Sequence, residues 1–154
     1  MCEEMSFQII ESYSNCGVDV AKIIRRIIRF APQSSIKDLK IIRLVDKDSY
    51  SRGFGCYFKK EKEIRIFVKE IIDWQPWILK KTIIFPYLTI AVTLGHEIDH
   101  HVNRNNENID MEKSAAINAL KYVYPSFGIF KPVVKIILFF VDLFKRKKIK
   151  RGEK

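Results

Sequence analysis

Cysteine is scarce and unpatterned in this 154-residue chain: Cys2, Cys16 and Cys56 make an odd count with no Cys-x-x-Cys pair. That argues against both a disulfide framework and a cysteine zinc knuckle. A basic start followed by an apolar stretch is missing too, since Glu3 and Glu4 stand near the beginning and Glu11 precedes any long apolar run. No secretory leader is read, and a reducing, cytoplasmic location is expected. There is no internal repeat and no Gly/Ser-rich linker. No uninterrupted run reaches the roughly 20 apolar residues that a membrane-spanning helix wants. Acid is short in one place: residues 144–154 hold seven basic residues and one acidic, which is +6 of the net +10. The basic character therefore belongs to a tail, and a nucleic-acid footprint spread over the fold is not expected.

What is there is the balance of one soluble globular domain, 47% hydrophobic and 30% charged. Between Val18 and Phe30, Val20, Ile23, Ile24, Ile27 and Ile28 recur at helical spacing against Lys22, Arg25, Arg26 and Arg29, which predicts an amphipathic helix ended by Pro32. Leu39 to Val45 reads as a strand. Two runs flanking Lys59-Lys60-Glu61-Lys62 read as a β-hairpin between Gly53 and Lys69. A connection with a short helix follows over residues 70 to 84. Pro86 is placed for the first turn of a long helix that stops at the Asn-rich segment 103–108, and Asp110 is placed to cap a second helix ending at Pro125. The expected class is α+β: a short sheet of a hairpin plus one strand, these two helices, and a C-terminal apolar helix from Pro132 to about Lys147. Residues 1–125 are expected as the domain and 126–154 as an appended helix and basic tail.

All three histidines fall within six residues, His96-Glu97-Ile98-Asp99-His100-His101, inside the long helix. His96 and His100, at i and i+4, project from one helix face one turn apart, where two imidazole nitrogens can share a zinc ion. Glu97 lies beside them, able to polarise a water without being a ligand. His101 points about 100° away from His100 and is not expected as a ligand. Because two histidines can also be a polar helix surface, the apolar stretch Tyr87 to Leu94 matters: it embeds the helix in a core, where such polar groups are costly unless bound. A third ligand is offered by Glu112 in the next helix. Ala115 and Ala119 keep that helix face small enough for close approach. Glu107 and Asp110 are reserve ligands, and an acid in the first helical turn has its own reason to be there in the macrodipole.

On these residues the chain resembles the gluzincin metallopeptidases, especially the minimal cytosolic minigluzincins and the ImmA/IrrE-type proteases; their catalytic modules resemble those of the integral-membrane CAAX-type metalloproteases. The likeness covers roughly residues 18 to 124 in order of elements, and only His96–His100 and Glu112–Ala119 at motif level. It implies a zincin-like fold, Zn2+ held by His96, His100 and Glu112, Glu97 as general base, and a peptide or protein substrate. The substrate is expected along the Glu63 to Lys69 strand, as an addition to the sheet edge. Two departures stand out. Ala116 occupies the place where the family commonly carries Asp or Asn to orient a zinc-bound histidine, and only eleven residues separate His100 from Glu112, fewer than gluzincins usually show. Tyr122 and Tyr124 follow the glutamate helix, where such enzymes can place an oxyanion-stabilising hydroxyl; neither is assigned that role.

The C-terminal segment leaves three readings open. Lys131, Lys135, Asp142 and Arg146 fall near one stripe of an otherwise apolar helix, which suits packing or self-association, contact with an anionic membrane surface, or, least well, a true span. For the whole chain the rival to a peptidase is a non-catalytic binding protein, either a metal-stabilised interaction module or a membrane-surface adaptor. Intact Glu97 favours the enzyme, and Ala116 favours the rival.

Overall fold

The computed structural model describes residues 7–47, 53–75, 77, 82, 84–106 and 110–135. Its strands are β1 (Gln8–Ser12), β2 (Ile41–Val45), β3 (Gly55–Phe58) and β4 (Glu63–Phe67). The α-helices among the described residues include α1 (Val20–Phe30), α2 (Gln33–Ile36), α3 (Val68–Trp74), α4 (Ile84–Asn103) and α5 (Met111–Val123), with a 3-10 helix over Tyr124–Phe130. The class is α+β.

Helix α1 starts where the Asp19 side chain accepts the Lys22 N–H at 2.8 Å and buries Val20, Ala21, Ile24, Ile27 and Ile28 while its arginines stay outside. The sheet order is β1-β2-β4-β3, with β1–β2 and β2–β4 parallel and β3–β4 antiparallel. Ile42, Leu44, Ile64 and Ile66 point to one face and join the α1 isoleucines and Ile90, Leu94 and Ile98 of α4 in a single core. Each such fully buried side chain is worth roughly 1.5–3 kcal/mol. The opposite face carries Arg43, Glu63 and Arg65, where Glu63 Oε1 accepts from both guanidinium groups at 2.9 and 2.6 Å. Burial pushes the Glu63 carboxyl up, but those two partners outweigh it and hold the group below its ordinary value.

Three expectations change. The sheet has four strands, because Gln8–Ser12 pairs with β2, and this exposed edge has too few apolar residues to announce itself. The strand expected to reach Lys69 stops at Phe67, where α3 begins. Most consequentially, β4 is paired on both sides, so no peptide can add along Glu63 to Lys69; the free edge on this side is β3. Packing also continues beyond residue 125, since Phe127 and Val134 belong to the same core. Most of the expected C-terminal helix, residues 136–147, and the basic tail lie outside the described residues.

The pairing of α4 with α5 is set by small residues. Ala115 and Ala119 are buried, as their spacing in the sequence suggests. Opposite them stands Gly95, where a Cβ would collide with the carbonyl of Ala119, backbone that cannot turn aside. Gly95→Ala must therefore push the helices apart. Overpacking of this kind costs about 1–3 kcal/mol or more, so the urea midpoint should fall by at least that equivalent; a loss under about 0.5 kcal/mol would show that the contact is not tight.

Candidate metal centre

Helix α4 is 20 residues long and buried over most of its length, so polar residues in its second half need partners inside the protein. Successive positions step about 100° around the helix and send each polar group to a different neighbour. His96 and His100 emerge on the side that faces the start of α5. Their Nε2 atoms lie 3.1 Å apart, and the Glu112 carboxylate approaches them at 3.4 and 3.3 Å.

Those spacings are informative. Around a zinc ion with bonds of about 2.0–2.1 Å to nitrogen and oxygen, the edge of the ligand tetrahedron is roughly 3.3 Å. The two imidazole nitrogens are near that separation from each other, and each has a different Glu112 oxygen near it, Oε2 beside His96 and Oε1 beside His100, so donors from two helices gather where one small cation could be held. His96, His100 and Glu112 can hold a metal ion. Burial, then the neighbouring His96, lowers the pKa of His100, which favours the neutral imidazole that a metal binds.

Glu97 faces the same cleft but stands apart from the donor trio. It is 5% exposed, and its carboxyl is pushed up to about 8, first by burial and then by the Glu112 charge, against the backbone hydrogen bond from Tyr57. Asp99 turns to α5. Its Oδ2 accepts from Ser114 Oγ at 2.7 Å and Asn103 Nδ2 at 3.0 Å, and its Oδ1 from the Tyr122 hydroxyl at 2.9 Å. This buried carboxylate, with three donors, anchors the helix that carries Glu112 to the helix that carries the histidines. His101 turns to the other side: its Nε2 lies 2.7 Å from the Lys37 carbonyl and must carry the proton, so Nδ1 accepts from the Tyr57 hydroxyl at 3.0 Å. Both its ring nitrogens are taken up by these protein partners, away from the His96, His100 and Glu112 group.

The cleft, of about 820 Å³, runs between α4, the start of α5 and strand β3. Gly55 is what lets β3 come so close, since a Cβ there would meet Thr93 at 3.0 Å and Glu97 at 3.1 Å. Lys59 and Arg104 share its lining with Glu97 and Glu112, and Arg104 is itself paired with Asp38 at 3.4 Å. Of the reserve ligands, Asp110 is occupied as the α5 cap, accepting the Lys113 N–H at 3.1 Å, and Glu107 lies outside the described residues. Tyr122 is committed to Asp99, and Tyr124 packs against Phe127; neither lines the cleft. Ala116 is exposed on α5, and among the described residues no hydrogen bond reaches the Nδ1 of His96 or His100. The roles of Asp99, Gly55 and Gly95 are not legible in the residue pattern. Only the position of Asp99 inside the histidine cluster hints at one of them.

Comparison with known protein families, characterised proteins and solved structures yields no match.

Two outcomes are expected. In a chelator-competition titration, Glu112→Ala should weaken metal binding by more than the roughly 10–100-fold typical of a lost outer-shell partner. Asp110→Ala and Glu107→Ala should leave it within a few-fold, the former costing about 1 kcal/mol of stability as a lost cap; the reverse ranking would move the third ligand into the loop. The second outcome concerns the metal-free protein. Because the Glu97 pKa is raised on folding, the native state holds a proton that the unfolded chain releases, so this group's contribution is lost as pH rises from about 4.5 towards about 8. His100 and His101, lowered mainly by burial, act in the opposite sense, losing stability as pH falls below their ordinary value. The difference between wild type and Glu97→Gln isolates the first effect: relative to the variant, wild-type stability should fall steadily between about pH 5 and pH 8. A flat difference in urea midpoints would place Glu97 in water.

Proposed function

We propose that the chain is a zinc-dependent metallopeptidase of the gluzincin kind on a zincin-like scaffold, with His96, His100 and Glu112 as ligands and Glu97 as general base. The observation that carries the reading is the convergence of two imidazole nitrogens 3.1 Å apart and the Glu112 carboxylate, a different oxygen of which is within 3.4 Å of each, with a further carboxyl group, one position along the helix, left outside the donor set. A purely structural site has no use for that fourth group.

Zinc, when bound, supplies the Lewis acidity that makes water nucleophilic at neutral pH and polarises a carbonyl. Glu97 takes the proton of the attacking water and returns it to the leaving amine. Its raised pKa belongs to the metal-free cleft; a nearby dication favours the ionised form that a base needs. The substrate is a peptide laid as an added strand on β3, the open edge that borders the cleft, with Gly55 leaving its backbone close to Glu97. Lys59, in the lining of the cleft, favours an acidic side chain or a terminal carboxylate in that peptide.

A second reading has an observation of its own. The histidine ligands lack, among the described residues, the orienting partner on Nδ1 that usually tightens a catalytic zinc site, and Ala116 stands where the resembling families carry one, which suits a metal-stabilised interaction module without turnover. Glu97→Gln separates the two. The amide keeps its size and loses its basicity, so the variant should bind zinc in the wild-type ratio while peptide hydrolysis falls at least ~10²-fold. Undiminished hydrolysis removes Glu97 from its role, and zinc binding without hydrolysis in the wild type favours the module.

A further inference from the structure

At the end of the molecule formed by α1 and the 3-10 helix, large apolar side chains stand in the open. Ile129 is 86% exposed, Phe130 43%, Val133 39% and Phe30 of α1 49%. Phe130 also lines a groove of about 470 Å³ together with Tyr87, Phe127 and Val134, with Arg26 in the same lining. Arg26, Arg29 and Phe30 share one face of α1 at positions i, i+3 and i+4, and the Arg26 guanidinium reaches to within 3.9 Å of where a side chain on Gly128 would begin. Lys131 and Lys135, one helical turn apart, bracket the exposed Val133 in the segment that follows the 3-10 helix. Neither 20–30 nor 120–135 contains a single Asp or Glu. Among the described residues Arg26, Arg29 and Lys135 have no carboxylate partner, whereas Arg25, turned the other way, pairs with Glu11.

Protruding apolar side chains bordered by cations with no carboxylate partner, Arg26 and Lys131 resting on the Tyr87 and Tyr124 rings with their charge uncompensated, have a specific complement. We propose that this face docks on an anionic lipid surface, Phe30, Ile129, Phe130 and Val133 entering the boundary between headgroups and acyl chains and Arg26, Arg29, Lys131 and Lys135 meeting lipid phosphates and carboxylates. Charge decides among occupants. A second copy in a two-fold contact would set the same cations against each other, and the chain's own residues 144–154 add only more positive charge. That basic segment follows the patch closely in sequence and would act on the same surface. The proposal does not rest on the metal centre: no residue of the patch lines the metal cleft.

The full chain is to be sedimented with vesicles of phosphatidylcholine alone and with about 30% phosphatidylserine. Binding is expected only to the second, and it should weaken as salt is raised. Ile129→Ser with Phe130→Ser should lower the partition coefficient at least about tenfold, and Arg26→Gln with Arg29→Gln about fivefold per charge removed. All four positions are exposed, so circular dichroism melts and zinc stoichiometry should match the wild type, which keeps a failure here distinct from a failure of the metal site. Absence of sedimentation overturns the proposal, as does equal binding to both vesicles. Unchanged binding by the Ile129/Phe130 variant would overturn it too, by showing the basic tail acting alone. A lipid-independent dimer that the same variant dissolves would show that the face joins two copies instead.

Discussion

Everything at the metal centre depends on how closely α5 can lie on α4. Two histidines one turn apart are a property of one helix, but the third donor arrives from another helix, and its position follows from the distance between two backbones. Gly95 against the Ala119 carbonyl sets that distance. Asp99, taking donors from Ser114 and Tyr122, fixes the sliding and rotation that a smooth contact of small residues would leave free. Packing brings the helices together, and polar bonding chooses their register.

Besides sharing the apolar core, the sheet meets the polar half of the same helix through β3. Strand β3 lies at the edge, reaches Glu97 across Gly55, and sends the Tyr57 hydroxyl to His101. His101 in turn ties the end of α4 to the Lys37 carbonyl beyond α2. The helix that carries His96, Glu97 and His100 is therefore held from three directions by its own buried polar residues, Glu97 towards β3, Asp99 towards α5 and His101 towards the turn after α2. Such a network costs little only because each group is satisfied.

Much of the local architecture is legible in the residues. The isoleucine spacing of α1, Pro86 in the first turn of α4 and Asp110 at the start of α5 are signals that act within a few positions, and each stands where its pattern puts it. Strand β1 is not legible, because Gln8–Ser12 is an exposed edge whose strand character comes from its partner β2, more than thirty positions away in the register Gln8 to Ile41. Nor is the sheet order: the hairpin pattern fits β3 and β4 equally well whichever of them lies inside, and only the parallel pairing of β4 with β2 decides that β3 keeps the free edge.

By itself the sequence determined the i and i+4 geometry of His96 and His100, the place of Glu97 beside them and the small face of α5, because helical periodicity converts spacing into direction without reference to the rest of the chain. Tertiary structure alone decided that the Glu112 carboxylate meets both imidazoles, one oxygen to each, that Asp99 links the two helices, and that the cleft opens on β3. Those are distances between segments distant in the chain. They are fixed by which surfaces can be buried together, and periodicity carries no information about that.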